Sequence, residues 1–141
     1  MISNFKTSKF LLDKAQAFAD AQGYRLSIQG APFEPITTEI YLQESFLAND
    51  NDQLGIGFDT CIEQSPIYQI DVLTPKGQGG KFVGQSIADL LLIEFKRGPI
   101  IFDDGSQTVQ ITSSSHRIMP ANKTHNWTMV QVDLTVLATS D

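Results

Sequence analysis

From Ser3 to Ala21 the chain carries no Pro or Gly, and Phe5, Leu11, Leu12, Ala15, Phe18 and Ala19 fall on or near one side of a helical period. Lys9, Asp13, Lys14 and Gln16 supply much of the other side, so the pattern predicts one amphipathic helix. Gly23 stands where a left-handed cap would end it, and Ser3 is placed to cap its start. Arg25-Leu26-Ser27-Ile28-Gln29 then alternates polar and apolar residues, which predicts a strand with one buried face, broken by Gly30-Ala31-Pro32. Ile40, Leu42 and Phe46, interleaved with Tyr41, Gln43, Glu44 and Ser45, predict a second strand. Asn49, Asp50, Asn51 and Asp52 follow as an exposed polar turn or mobile loop, because their side chains compete for nearby backbone donors.

Gly55 to Leu73 reads as a long extended region, with Phe58, Cys61 and Ile62 before a bend at Pro66 and Tyr68, Ile70 and Val72 after it. Pro75-Lys76-Gly77-Gln78-Gly79-Gly80 ends that region, and the period becomes helical from Phe82 to Phe95. The expected buried set is Ile87, Leu90, Leu91 and Phe95. Leu92 and Ile93 widen the apolar surface beyond one stripe, which implies cover by a sheet or by a neighbouring subunit. Gly98-Pro99 stops the helix, Ile100-Ile101-Phe102 is a short strand, and Asp103-Asp104-Gly105 is a turn leading to Val109 and Ile111. Ile118 and Met119 precede a break at Pro120. The last strand alternates Trp127, Met129 or Val130, Val132, Leu134, Val136 and Ala138 against Gln131, Asp133 and Thr135. Strands in a mainly antiparallel sheet with two packed helices make an α+β fold, and 141 residues suit a single domain over 1–141. A chain of this size hides about two-thirds of its surface on folding, so it needs no disulfides.

Composition narrows the function more than it names one. With 16 acidic and 10 basic residues the formal charge is −6, which argues against a broad basic face for nucleic acid. Cys61 is alone, so no internal disulfide and no cysteine zinc cage is expected. The first 20 residues have no basic region followed by an apolar core, and no apolar run reaches bilayer length, so no membrane partner is expected.

His116 and His125 are the only imidazoles and lie in no ligand motif, so neither a metal nor a cofactor is expected. Asp103 and Asp104 have the positions of turn residues rather than of an acid and base pair. Cys61 has no local basic or helix-terminal neighbour to activate it and reads as a packed strand cysteine. Gly77 to Gly80 lacks the order of a phosphate loop. Lys96-Arg97 forms a basic patch with Lys81 only if the helix and its entrance bring them together. No catalytic constellation emerges.

Taken in order, these features resemble the phage tail terminator and tail-completion family, which includes the minor tail proteins of lambda-like siphophages. The resemblance rests on the opening helix, the Pro32-Phe33-Glu34-Pro35 stretch and the strand and exit Tyr68-Gln69-Ile70-Asp71-Val72-Leu73-Thr74-Pro75. It continues through the glycine-rich bridge, the Ile87 to Phe95 helix and the apolar last strand, spanning Phe5 to Leu137. It implies a structural, non-enzymatic subunit of the virion, at the head-tail junction and in the host cytoplasm during assembly. It implies a homohexameric ring that caps the head-proximal end of the tail tube and stops polymerisation. The same ring would join the tube to a head-completion or connector protein and let genomic DNA pass without sequence-specific binding. By match to the family's helix and final strand, Leu91, Phe95, Trp127 and Met129 are candidate assembly residues, and Asn49 to Asp52 a candidate partner or channel loop. The alternatives are a head-tail connector adaptor of the neck and, from another class, a small hydrolase or ligand-binding enzyme.

Overall fold

Ser3 caps the first helix as its position predicts: its hydroxyl accepts the Lys6 N–H at 3.2 Å, and helix α1 runs Asn4–Gln22. Gly23, at φ 78°, closes the other end in a conformation that costs a side-chain-bearing residue more. These observations come from a computed structural model that describes residues 2–48, 52–54, 61–77, 79–98 and 100–139. The inward stripe of α1 is Thr7, Leu11, Ala15, Phe18 and Ala19. Phe5 departs from the expected stripe and is 76% exposed. Six residues before Leu11, it projects about 120° away from it around the helix.

The strands are β1 (Arg25–Ser27), β2 (Tyr41–Leu47), β3 (Asp52–Leu54), β4 (Cys61–Gln64), β5 (Ile67–Pro75), β6 (Ile100–Asp103), β7 (Gln107–Met119) and β8 (His125–Thr139). The second helix, α2, is Lys81–Glu94. β8 is the spine of the sheet. One of its edges pairs with β7 almost throughout, and the other pairs with β5 as far as Asp133 and with β4 from Val136. Pro66 lies at that handover, where its carbonyl accepts the Leu134 N–H at 3.1 Å and keeps the spine tied between the two partners. From β8 the sheet continues through β5 to β2 and β1 on one side, through β4 to β3 further along, and through β7 to β6 on the other side. Among the described residues all pairings are antiparallel except β1 with β2. β1 stops at Ser27, two residues short of the stretch that the alternation predicts, and Ile28 is partly exposed.

Burial follows the pleat. Leu42, Tyr68, Ile70, Val72, Val130, Val132, Leu134 and Val136 form one core with the inner faces of α1 and α2. β7 joins the core in two phases. Val109 and Ile111 pair with Val136 and Leu134, a bulge intervenes at Thr112, and Ser114 and His116 then take the core-side positions opposite Val132 and Val130. The bulge therefore moves the inward set from odd to even numbers. Gln107 ties this strand to α1: its Oε1 accepts the Ser3 N–H at 2.7 Å and its Nε2 donates to Thr7 Oγ1 at 2.9 Å. At Gly84, α2 comes so close to β8 that an added Cβ would stand 2.6 Å from Thr128 Oγ1.

Candidate assembly surfaces

The four apolar candidates divide between two places. Leu91 and Phe95 lie on the inner side of α2 and are fully enclosed, with the Phe95 ring 6.0 Å from that of Tyr68 and capped by Lys14 Nζ at 5.5 Å. They stabilise the fold from inside. The outward apolar positions of α2 are Phe82, Leu90 and Ile93, which are 70%, 43% and 64% exposed. Leu90 thus leaves the expected buried set, because one residue turns the helix by about 100° and only Leu91 faces the sheet. The excess apolar width that Ile93 adds to this helix is surface in the isolated chain. Beside Leu90 and Ile93 a groove of about 340 Å³ lies between the two helices, lined from α1 by Lys14, Ala17, Phe18 and Ala21 and from α2 by Glu94.

Trp127 and Met129 lie on the other side of the sheet. The even residues of β8 face the helices, whereas Trp127 and Met129 are odd and pair across to Leu73 and Asp71 on β5 and to Met119 and Arg117 on β7. The alternation expected for the last strand joins two opposite faces, and the structure separates them at Trp127. Among the described residues no helix covers this second face. Met129 is buried there and Trp127 half-buried.

Next to Trp127 is a second cavity, of about 240 Å³, lined by Tyr41, Gln43, Asp71, Leu73 and Asn122. Burial raises the Asp71 carboxyl above the usual carboxylate range, against the opposing pull of the Trp127 indole N–H and the Gln69 amide. Gln69 Nε2 donates to Asp71 Oδ1 at 2.9 Å, while the indole N–H lies close without completing a hydrogen bond. The Tyr41 phenol is also raised, first by burial and then by the Asp71 and Glu39 carboxylates. His125 holds this end of the sheet together. Its Nε2 donates to the Glu39 carbonyl at 3.0 Å, since a carbonyl only accepts, and its Nδ1 then accepts from the Thr124 hydroxyl at 2.9 Å. A buried clamp was not legible from an isolated histidine in a polar loop.

Of the acidic segment, Asn49, Asp50 and Asn51 lie outside the described residues, and Asp52 opens β3 opposite Glu63. Phe58 also lies outside them, and Cys61 starts β4. Lys81 and Lys96 sit at opposite ends of α2, about 20 Å apart, and so form no shared basic patch. His116 Nε2 is 3.2 Å from Asp89 Oδ1. Among the described residues no three His, Cys, Asp or Glu side chains converge as metal ligands, and no helix is long and apolar enough to cross a membrane.

Sequence reading missed Glu44. It occupies an inward position between Leu42 and Phe46, accepts the Gln29 N–H at 2.9 Å, and Gln29 Oε1 in turn accepts the Phe46 N–H at 2.7 Å. The two side chains continue the β1–β2 pairing beyond the end of β1. Its number, in phase with Leu42 and Phe46, was the available signal. Burial and the nearby Glu44 carboxylate push the Tyr68 phenol far upward.

These features define a small α+β fold, one curled sheet with both described helices on one face. Over residues 8–135 the sequence matches the family of phage tail terminator proteins, and the chain belongs to that family as a structural protein of a phage tail. One solved structure superposes on the whole fold with a TM-score of 0.71 at 15% identity, covering 100% of this chain and 98% of the other. No curated protein sequence matches significantly.

Proposed function

We propose that this protein is the subunit that closes the head-proximal end of a phage tail tube. Copies assemble into a ring, most simply a hexamer, one face of which seats on the last tube ring and stops polymerisation. The opposite face receives the head-completion or connector protein, and genomic DNA crosses the central opening without base recognition. The observation that carries this reading is the family match over nearly the whole chain. The apolar row Phe82, Leu90 and Ile93 supports it as surface that an isolated subunit has no reason to expose together. A single domain of 141 residues cannot enclose a channel for duplex DNA, but repeated heterologous contacts can, provided their rotation closes. The work is geometrical and needs no catalytic group.

Mixing the purified protein with tail tubes, then measuring particle mass and imaging by negative stain, tests the reading. Rings at one end of each tube are expected. Protein that stays monomeric with tubes, or that decorates isolated connectors and ignores tubes, contradicts it, and the second result makes the chain a neck adaptor.

A further inference from the structure

The helix-free face of the sheet carries neutral and charged groups together, with Glu63, Asp71, Arg117 and Asp133 among them. Gln43, Ser45, Gln69, Gln131 and Ser115 occupy its outward positions, and the Asp133 carboxylate is met by Ser113 Oγ at 2.7 Å and Gln131 Nε2 at 3.0 Å. Asp71 stands apart. It is 6% exposed at the floor of the 240 Å³ cavity, and among the described residues no Lys or Arg forms an ion pair with it. Four other carboxylates, those of Asp13, Glu39, Glu94 and Asp104, do have such a partner. A carboxylate withdrawn from water without a cation is costly, and binding a cation there recovers much of that cost.

The walls suit one kind of cation. The rings of Tyr41 and Trp127 border the cavity, and a guanidinium both lies against aromatic faces and forks two N–H groups onto a carboxylate. The chain already uses this recognition beside β2, where the Arg25 guanidinium lies 4.4 Å from the Phe33 ring centroid and pairs with Glu39. We infer that the cavity between Tyr41, Trp127 and Asp71 is a receptor for an arginine side chain presented by a different protein of the tail or neck. The assignment of the partner rests on the reading of this chain as a tail-assembly subunit; the receptor itself does not.

A second copy of this chain is a poor donor through its exposed arginine on this face. Arg117 lies in the same cross-strand row as Asp71, separated only by Met129, so about 10 Å away. Copies exchanging Arg117 and Asp71 would pair face to face about a twofold axis, which closes a dimer and stops there. A partner with its own arginine avoids that limit.

Trp127 is the only tryptophan, so its fluorescence reports on the cavity directly. The isolated chain is titrated with N-butylguanidinium and, separately, with N-butylurea, which keeps the shape and lacks the charge. A saturable change in the millimolar range is expected with the cation and none with the urea. Asp71→Asn should weaken the response about tenfold or more, the worth of one charge-assisted hydrogen bond. Gln43→Lys, directly across from Asp71 on β2, places a cation at the cavity from within and should abolish the response with the fold intact by circular dichroism. If Asp71→Asn does not fold, Gln43→Lys decides alone. No saturable response, an equal response to the urea, or an unchanged response in Gln43→Lys overturns the receptor. Failure of the tube-capping experiment with a positive titration would overturn the terminator reading and leave the receptor standing.

Discussion

Gly84 fixes how closely α2 lies on the spine strand, and replacing it tests that contact. In Gly84→Ala the new Cβ would sit 2.6 Å from Thr128 Oγ1 and 3.4 Å from Thr128 Cβ. Thr128 is buried and its strand is paired on both sides, to Val72 and to Ile118, so the backbone cannot retreat. Its branched side chain has few alternative rotamers. Forcing an extra group into such a contact costs about 1–3 kcal/mol, and alanine returns about 1 kcal/mol through its better helix propensity. The net expectation is a loss of up to about 2 kcal/mol, or up to about 6 °C in Tm for a domain of this size. In a Thr128→Ala background the obstacle is gone, and the same substitution should be neutral or stabilising by up to about 1 kcal/mol. Thermal and urea unfolding of the four proteins of this cycle supply the numbers. An equal effect in both backgrounds, or a Gly84→Ala single variant more stable than the native chain, would refute the close approach as its cause.

Gln107→Leu strands the Ser3 N–H and removes a donor from the buried Thr7 hydroxyl, and should cost about 2–4 kcal/mol, read as a lowered urea midpoint. Asp71 supplies a pH signature. Because burial raises its folded pKa, its stabilising contribution is complete below the ordinary value of 3.8 and is lost as pH rises through the folded value. Asp71→Asn should therefore gain Tm relative to the native chain as pH rises above about 4 and show no gain in stronger acid, checked by thermal scans across that range. Asp104, held low by Lys6 and by backbone and hydroxyl donors, has the opposite sign, and its contribution disappears only as acid reaches its depressed folded value. Two α2 variants separate folding from assembly. Leu91→Ala should lose about 2–5 kcal/mol as a core truncation, whereas Ile93→Lys should change stability by less than about 0.5 kcal/mol and still prevent tube-end binding in pelleting assays.

Periodicity carried the architecture well where one face of an element is wet. α1 shows its caps at Ser3 and Gly23 and its inward stripe from Leu11 to Ala19, because a helix lying on a sheet has a single apolar side. β7 was legible only in pieces. The bulge at Thr112 switches its phase, and the small polar run Ser113-Ser114-Ser115 hides a continuous strand between two apolar ends. β8 failed differently: both of its faces carry apolar groups near the start, so Trp127 and Val130 read as one row although they point to opposite sides. The candidate surfaces were half legible for the same reason. An apolar excess on α2 can be counted from the sequence, but whether Leu90 or Leu91 is the enclosed one depends on the helix's rotation against β8. Asp71 had no sequence signature at all, since its interest arises from Tyr41, Asn122 and Trp127, which only the sheet register and the loop before β8 bring beside it.

In the proposed role the chain performs one physical act: it removes the surface on which the next tube ring would grow. Ring closure makes this possible with a small subunit, because a closed ring offers no free heterologous contact in its own plane. The −6 charge is compatible with DNA sliding past without adhesion. The act is read most directly from the length distribution of tail tubes polymerised from purified tube protein, imaged with and without this chain added at the start. The account predicts that added protein arrests growth and leaves short tubes bearing a ring at one end, whereas Ile93→Lys leaves growth unchecked. Tubes of the same length with and without the native protein would contradict it.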